Sequence, residues 1–325
     1  MLALKNLPVA NHIIEYCNRV DLLRGAEISI MGRDCSTKSH YRATLKDGRS
    51  YVIMDASGDS GVADSLVRVH NFMNLNEFSA PKIFDYNKQQ SLVITEDFGD
   101  NSYKNILLND PSLELQLYYL AIQVLGKINS VQININLPNH DADSLNKALL
   151  KSFYNCYKTR MKAGSELFDV FSRLFSKLSV KNSLVLRDYH IDNMVFLEER
   201  ESYKKVGLVD IQDASIGHPV YDLVSLLEDA RRDVSSEVVK KCKEYFLQLC
   251  PTVDINEFNY SYGVLGLQRS LRILWLFSYL KELPSKERYG QFLPRVKNYV
   301  RDKLKNPIFK EILVWSDKHQ IPLHD

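Results

Sequence analysis

One segment of the chain carries the residue types that phosphoryl transfer requires. Asp188 follows an apolar run, and Asn193 comes five residues later. Asp210 ends a second apolar run, Val206-Gly-Leu-Val209. A carboxylate can accept the proton of an attacking hydroxyl, and an amide oxygen with a second carboxylate can hold Mg²⁺ against nucleotide phosphates. The segment therefore predicts Asp188 as the general base and Asn193 and Asp210 as Mg²⁺ ligands, with ATP as the phosphoryl donor.

The context of these residues is more specific than their spacing. An aspartate and an asparagine five residues apart are common, and Asp188 alone also fits a loop carboxylate that bonds its own backbone. Two predicted strands, Ser183–Leu186 and Val206–Val209, favour catalysis because they deliver Asp188 and Asp210 to strand ends. This arrangement matches the kinase pattern R-D-x-x-x-x-N followed by an aspartate at a strand end.

Four residues near or after this segment are candidates for a supporting or binding role. His190 is expected to orient the catalytic loop, and Asp222 to anchor it by accepting backbone N–H bonds. For Asp229 and Arg231 two interpretations stay open, namely a solvated helix end or a sugar-binding wall beside the metal.

The remaining pattern predicts how these groups are positioned. Two strand-like runs flank Asp47-Gly48, which indicates a β-hairpin, and a helix with two further strands follows it. After Gly99 the periodicity is mostly helical. We expect an α+β, bilobal, protein-kinase-like fold, with a small β-rich nucleotide-binding lobe over residues 1–96. A large, mainly helical lobe over residues 97–325 carries the catalytic loop and the substrate site.

Composition excludes several classes of protein. The chain has 325 residues with 42 Lys and Arg against 40 Asp and Glu, so a net charge of +2 gives no reason to expect nucleic acid or a membrane as a partner. Five scattered cysteines without CxxC spacing fit a reducing compartment. The first ten residues do not read as a signal peptide, and we expect a cytoplasmic protein.

At this point a family resemblance becomes clear. Arg187-Asp188-Tyr-His-Ile-Asp-Asn193, Leu208-Val-Asp210-Ile-Gln-Asp213 and Gly217-His-Pro-Val-Tyr-Asp222 resemble the aminoglycoside phosphotransferase-like kinases. Within them the chain looks most like the N-acetylmuramate/N-acetylglucosamine anomeric kinases of peptidoglycan recycling. Asp34-Cys-Ser-Thr-Lys38-Ser-His-Tyr-Arg42 and Glu96-Asp97-Phe98-Gly99 agree with the family's small lobe.

The resemblance implies roles for further residues and a small amino sugar as the partner. Glu96, Asp97 and Phe98 would form the hinge beside the adenine. The substrate-binding candidates are Arg187, Gln212, Asp213, Asp229 and Arg231. The product would be a sugar 1-phosphate, which a salvage route toward UDP-sugars needs.

Two positions depart from the wider kinase pattern. Leu186 stands where a histidine is usual, and Met54 stands where a phosphate-binding lysine is expected. The β- and γ-phosphates still need positive charge. We expect Arg42 to be the main phosphate contact, because its fork matches phosphate oxygens, and Lys38 to assist it.

Three functions remain open on the sequence alone. The first is a sugar 1-kinase. The second is a kinase of another small alcohol, such as an aminoglycoside or choline. The third is a non-catalytic nucleotide-binding module, which the missing lysine suggests and the complete set of Asp188, Asn193 and Asp210 opposes.

Overall fold

Residues 9–31, 38–179, 182–251 and 253–323 are described by the computed structural model. The strands of this part of the chain are β1 (Glu27–Ile30), β2 (Ser39–Thr44), β3 (Ser50–Asp55), β4 (Ile83–Asn87), β5 (Leu92–Glu96), β6 (Asn139–His140), β7 (Ser183–Val185), β8 (Met194–Phe196), β9 (Val206–Leu208) and β10 (Ser215–Gly217). Its α-helices are α1 (Asn11–Arg19), α2 (Ser60–Leu75), α3 (Tyr103–Asn109), α4 (Glu114–Ile128), α5 (Ala142–Cys156), α6 (Met161–Phe175), α7 (Val220–Leu227), α8 (Ser236–Leu249), α9 (Ile255–Leu280), α10 (Leu293–Leu304) and α11 (Lys310–His319).

The chain divides into two compact units. The first unit contains the described residues of Met1–Leu113 together with Ile191–Ala214, and the second contains Glu114–His190 together with Ser215–Asp325. Each unit is therefore built from two separate stretches of chain. The boundary after residue 96, between a nucleotide-binding lobe and a substrate-binding lobe, stays a prediction.

The first unit is organised around an antiparallel sheet with the strand order β1-β2-β3-β5-β4. The predicted hairpin is confirmed: Thr44 pairs with Ser50 across the Asp47-Gly48 turn, where Gly48 has a φ of 88°. Glycine adopts this left-handed conformation without steric cost. A smaller hairpin, β8–β9, belongs to the same unit and pairs Met194 with Leu208.

Alternation along the strands gives the sheet two apolar faces. On one face Tyr51 and Ile53 of β3 pack in a cluster with Ile13 of α1. On the other face Met54 of β3 packs with Ala63 and Leu66 of α2. Both faces are covered by helices, so β3 is held in a fixed position.

The second unit is mainly helical around a short sheet with the order β6-β10-β7. Strand β7 leads directly to Asp188, and α7 follows β10. The long helix α9 carries buried residues along most of its length and packs on α5, α7 and α10. Within the described residues no helix is both long and apolar enough to cross a bilayer.

Candidate active site

The catalytic loop after β7 begins with a tight turn. Arg187 has a φ of 70°, and the backbone N–H of Asp188 donates to the carbonyl of Leu186 at 2.9 Å. This is a γ-turn, a strained backbone conformation for a residue other than glycine. Such strain persists only where neighbouring contacts hold it.

Asp222 of α7 supplies those contacts. Its two carboxylate oxygens accept hydrogen bonds from the backbone N–H groups of Leu186 at 2.6 Å and Arg187 at 2.9 Å. Accepting at both oxygens is the geometry of an ionised carboxylate. The pKa of Asp222 is nevertheless raised to about 7. Burial is the main cause of this rise, the charge of Asp188 adds to it, and the two N–H groups partly oppose it.

The side chains around Asp188 differ sharply in exposure. Asp188 is exposed, whereas the two residues that follow it, Tyr189 and His190, are buried. The Tyr189 hydroxyl donates to the carbonyl of Ala121 in α4 at 2.7 Å, and the N–H of His190 donates to the carbonyl of Asp188 at 3.1 Å. The catalytic loop is therefore held before Asp188 by Asp222 and after it by the contacts of Tyr189 and His190, while solvent can reach the Asp188 carboxylate.

Asn193 and Asp210 lie next to each other at the end of the β8–β9 hairpin. Asn193 ends the 3₁₀ turn Ile191–Asn193 just before β8, and its carbonyl accepts from the N–H of Val209 at 3.1 Å. Asp210 follows with a φ of 57°, a left-handed conformation that is uncommon outside glycine. The hairpin thus brings together two residues that are 17 positions apart in the sequence.

Two side chains donate to the carboxylate of Asp210. Lys38 Nζ lies 3.1 Å from Oδ1, and Gln212 Nε2 lies 2.8 Å from the same oxygen. Burial raises the pKa of Asp210, but the charge of Lys38 and the hydrogen bond from Gln212 outweigh it and leave the pKa below its usual value. Asp210 is therefore ionised at neutral pH.

The donor set suits Mg²⁺. A carboxylate and an amide oxygen are hard ligands of the kind this ion takes while keeping part of its water shell. The adjacency of Asn193 and Asp210 and the ionised state of Asp210 fit that requirement. Across the described ranges, no cluster of three or more His, Cys, Asp or Glu side chains offers another metal site.

Met54 occupies the position where a phosphate-binding lysine was expected. It is 1% exposed in the apolar cluster with Ala63 and Leu66 of α2. In protein kinases a lysine here pairs with a glutamate of the following helix. This chain replaces that ion pair by apolar packing, so a phosphate group must find its positive charge elsewhere.

Arg42 faces two carboxylates. Its Nη2 donates to Asp97 at 3.1 Å and its Nη1 donates to Asp100 at 3.0 Å. Asp97 also accepts from Ser50 Oγ at 2.7 Å and from the N–H of Gly99 at 2.9 Å. Burial raises the pKa of Asp97, but these hydrogen bonds, led by the one from Arg42, hold it below its usual value.

Glu96 and Phe98 share one partner, Arg200. The guanidinium of Arg200 lies 3.2 Å from the carboxylate of Glu96 and 5.2 Å from the ring centre of Phe98. The Phe98 ring also packs on Gly207 of β9, where an added Cβ would meet a ring carbon at 2.8 Å. The segment between β5 and α3 is thus fixed at each of its three predicted hinge residues.

The predicted substrate-binding residues fall into separate groups. In the first unit Gln212 is buried and donates to Asp210 and to Asp213, which is exposed. In the second unit Asp229 is buried, and its carboxylate accepts from the backbone N–H of Arg231 at 2.9 Å. This bond closes the turn after α7, and contact of Asp229 and Arg231 with a sugar stays a prediction.

Part of the segment Asp34–Arg42, which the family resemblance assigns to the small lobe, falls outside the described residues. Residues 32–37, which include Gly32 and the segment Asp34–Thr37, lie outside the described residues. Sequence reasoning also missed Asp100 and Arg200, whose partners Arg42 and Glu96 are distant in the chain. Only Asp100 carried a signal, because it directly follows the Glu96–Gly99 segment.

A family comparison decides the class of the protein. Residues 35–252 match the model of the phosphotransferase enzyme family APH. The chain belongs to this family. The enzyme is accordingly a phosphotransferase that uses ATP and acts on a hydroxyl group, which confirms the predicted kinase activity and the predicted resemblance.

Two curated relatives cover most of the enzyme. It is 30% identical over 275 residues to an N-acetylmuramate/N-acetylglucosamine kinase of Caulobacter vibrioides, covering 80% of this chain and 76% of that protein. It is 24% identical over 298 residues to a kinase of the same name from Neisseria meningitidis serogroup B, covering 86% of each.

Solved structures share the fold of the enzyme. A choline/ethanolamine kinase family protein from Mesorhizobium loti matches with a TM-score of 0.65 at 10% identity, covering 94% of this chain and 98% of that one. The gentamicin complex of APH(2'')-IIa matches with a TM-score of 0.65 at 13% identity, covering 89% and 96%. The predicted α+β, protein-kinase-like class is therefore confirmed.

Proposed function

We propose that the enzyme phosphorylates the anomeric hydroxyl of N-acetylmuramate, N-acetylglucosamine or both, with ATP as the donor and Mg²⁺ as the metal. The product is a sugar 1-phosphate, which suits a role in peptidoglycan recycling. The observation that carries this proposal is the 30% identity to the Caulobacter vibrioides kinase, which extends over 80% of the chain.

Asp188 is the proposed general base. Its carboxylate is exposed, so a sugar hydroxyl can approach it. It accepts the proton as the hydroxyl oxygen bonds to the γ-phosphorus and the bond from that phosphorus to the departing ADP breaks. The γ-turn at Arg187 and the two hydrogen bonds to Asp222 hold this carboxylate in one orientation. Because positioning accounts for much of the rate of phosphoryl transfer, these contacts serve catalysis as well as folding.

Asn193 and Asp210 are the proposed ligands of Mg²⁺. When bound, the ion neutralises charge that develops on the phosphate oxygens. Gln212 donates to Asp210 at 2.8 Å and orients its carboxylate. Lys38 places an ammonium group beside the same carboxylate, where it can also contact a phosphate oxygen.

The segment Glu96–Phe98 is the proposed binding edge for adenine. Its backbone is held by Arg42 on Asp97 and by Arg200 on Glu96 and Phe98. A fixed segment of this kind presents backbone donors and acceptors without an ordering cost on binding. Arg42 therefore contributes to nucleotide binding through Asp97 as well as through its own charge.

A panel of acceptors tests the proposal. Purified enzyme with ATP and Mg²⁺ is incubated with N-acetylmuramate, N-acetylglucosamine, choline and an aminoglycoside, and ADP release is measured. We expect kcat/KM for at least one amino sugar to exceed the values for choline and the aminoglycoside by more than about 100-fold, a difference of about 2.7 kcal/mol in transition-state binding. Preferential turnover of choline or the aminoglycoside contradicts the proposal.

A further inference from the structure

Helix α2 is hydrogen-bonded to the segment that carries Asp210. The hydroxyl of Ser65, near the start of α2, donates to the backbone carbonyl of Gln212 at 2.6 Å. The two residues are 147 positions apart in the chain and belong to the same compact unit. Gln212 is 3% exposed, so its carbonyl needs a donor from the protein. Ser65 supplies that donor.

Gln212 lies in a tight turn directly after Asp210. The N–H of Ala214 donates to the carbonyl of Ile211 at 3.1 Å and closes the turn. The carbonyl of Gln212 takes no part in that bond and is the one that Ser65 holds. Asp210, just before the turn, has a φ of 57°, a strained conformation that persists only where neighbouring contacts maintain it. The hydrogen bond from Ser65 is such a contact.

The side chain of Gln212 extends this constraint to the carboxylate of Asp210. Its Nε2 donates to Oδ1 of Asp210 at 2.8 Å, and Lys38 Nζ lies 3.1 Å from the same oxygen. Because Ser65 fixes the backbone of Gln212, the amide approaches Asp210 from one direction. Partners that orient a metal ligand in this way raise the affinity for the metal.

Helix α2 is a firm support for Ser65. Ala63 and Leu66 pack on Met54 of β3, and Asp59 caps the helix by accepting from the N–H of Gly61 at 3.2 Å. In protein kinases a lysine–glutamate ion pair ties the helix after this strand to the active site. Met54 excludes that ion pair here. The hydrogen bond of Ser65 ties α2 to the Asp210 segment instead.

We propose that Ser65 is a positioning residue for phosphoryl transfer, which acts through Gln212 on the carboxylate of Asp210. The inference rests on the proposed function, in which Asp210 is a ligand of Mg²⁺. Ser65 acts on the alignment of a metal ligand and not on the reacting groups. Removing its hydroxyl should therefore weaken the binding of metal-bound nucleotide and leave the binding of nucleotide alone unchanged.

The test compares metal-bound nucleotide with nucleotide alone. Calorimetry gives the Kd of the Mn²⁺–ADP complex and the Kd of ADP with EDTA present, and kcat is measured with Mg²⁺ and the preferred sugar. Mn²⁺ is the probe because it takes the same oxygen ligands as Mg²⁺. Direct partners of metal ligands are worth about 10- to 100-fold in affinity or activity. Ser65 is one step further away, so Ser65→Ala should raise the Kd of Mn²⁺–ADP and lower kcat by about 3- to 30-fold each, with the Kd of ADP alone within about 2-fold.

Two further variants follow the route from Ser65 to Asp210. Ser65→Thr keeps the hydroxyl and should recover most of both losses. Gln212→Leu keeps the backbone carbonyl that Ser65 holds but removes the amide, and it should weaken Mn²⁺–ADP without weakening ADP alone. This second variant tests the route even where Ser65→Ala is poorly folded.

Ser79→Ala is the matched control. The hydroxyl of Ser79 also donates to a backbone carbonyl of the same unit, that of Lys204 at 2.5 Å, but Lys204 lies at the opposite end of β9 from Asp210. Thermal unfolding should show a loss of stability in Ser79→Ala as in Ser65→Ala. The ratio of the two Kd values should change only in Ser65→Ala.

The outcomes separate this inference from the proposed function. Equal weakening of both forms of ADP in Ser65→Ala, no weakening of either, or no recovery in Ser65→Thr overturns the role of Ser65, and unchanged binding in Gln212→Leu overturns the route through the amide. Asp210→Ala is the reference. If it loses Mn²⁺–ADP binding while Ser65→Ala does not, only the inference fails. If Asp210→Ala binds Mn²⁺–ADP and turns over normally, the proposed metal site fails as well.

Discussion

The ammonium group of Lys38 lies 3.1 Å from Oδ1 of Asp210, although the two residues are 172 positions apart in the chain. The side chain of Lys38 is 9% exposed, so its charge acts locally on Asp210. Met54 leaves the usual position of a phosphate-binding lysine apolar. We therefore expect Lys38, rather than Arg42, to supply positive charge beside a metal-bound phosphate.

The first prediction follows from this contact. Lys38→Ala should lower kcat/KM for ATP by about 10- to 150-fold, the equivalent of about 1.5–3 kcal/mol for a charge-assisted hydrogen bond. Lys38→Arg should recover part of this loss. The measurement is the initial rate as a function of ATP concentration at saturating sugar.

Arg42→Ala is the matched comparison. It removes the hydrogen bonds to Asp97 and Asp100 and leaves Asp97, whose side chain is 2% exposed, without its main partner. We expect the free energy of unfolding to fall by about 1–3 kcal/mol and kcat/KM for ATP to fall less than in Lys38→Ala. A larger catalytic loss in Arg42→Ala with unchanged stability would restore Arg42 as the main phosphate contact.

The second prediction concerns the base. Asp188→Asn should lower kcat by about 10²–10⁴-fold because the variant cannot accept the proton, whereas the Kd for ATP should stay within about 2-fold. Asp192→Asn is the control, since Asp192 lies in the same loop and pairs with Lys104 at 2.9 Å. If Asp188→Asn turns over at a near-normal rate, Asp188 is not the base.

The third prediction concerns the pH dependence of stability. The pKa of Asp222 is raised to about 7 by burial, against about 3.9 for an unfolded chain. A carboxyl group with a raised folded-state pKa favours folding when it is protonated. Its contribution is therefore complete below about pH 4 and is lost as the pH rises to about 7.

Asp222→Asn should remove this dependence. The stability of the wild type relative to Asp222→Asn is the difference between their free energies of unfolding. This relative stability should be about 2–4 kcal/mol higher at pH 4 than at pH 8. Asp233→Asn is the control, because a hydrogen bond from Arg295 holds the pKa of Asp233 below its usual value, so this carboxyl group should contribute little pH dependence between about pH 4 and pH 8. Denaturant unfolding across this pH range is the measurement, and parallel curves for wild type and Asp222→Asn contradict the prediction.

The fourth prediction uses two glycines. Gly207→Ala places a Cβ 2.8 Å from the Phe98 ring, so the ring must shift. We expect a loss of about 1–3 kcal/mol in stability and a raised KM for ATP. Gly263→Ala in α9 meets its neighbours at 3.6 Å or more and should instead stabilise the protein by about 0.5–1 kcal/mol. If Gly207→Ala and Gly263→Ala have the same thermal stability and the same KM for ATP, Phe98 is not held by Gly207.

Sequence patterns predicted the elements that have strong local signals. The Asp47-Gly48 turn located β2 and β3, and the helical periodicity after Gly99 predicted the mainly helical part of the chain that contains α4 to α11. Strands β6, β8 and β10 have two or three residues each and were missed, whereas the equally short β7 and β9 were predicted because they lie in the four-residue runs Ser183–Leu186 and Val206–Val209, which lead to an aspartate. Apolar periodicity alone places the start of helix α9 near Tyr262, whereas the helix begins seven residues earlier, at Ile255. Asp254, which caps it by accepting from the N–H of Asn256 and Glu257, was the missed signal.

In the candidate site, too, some features could be predicted from the sequence and others could not. Asp188, Asn193 and Asp210 lie close together in the sequence, so their spacing was readable. The contact of Lys38 with Asp210 depends on how distant segments pack, and the sequence favoured Arg42 because its chemistry suits phosphate.

The regiochemistry of phosphorylation tests the central proposal most directly. The product formed from N-acetylglucosamine or N-acetylmuramate is analysed by phosphorus NMR with coupling to the sugar protons, and the C1-blocked methyl glycoside is run in parallel. We predict a phosphate on the C1 oxygen and no product from the methyl glycoside. Phosphorylation of the methyl glycoside at the rate of the free sugar would contradict the assignment of this enzyme as an anomeric kinase.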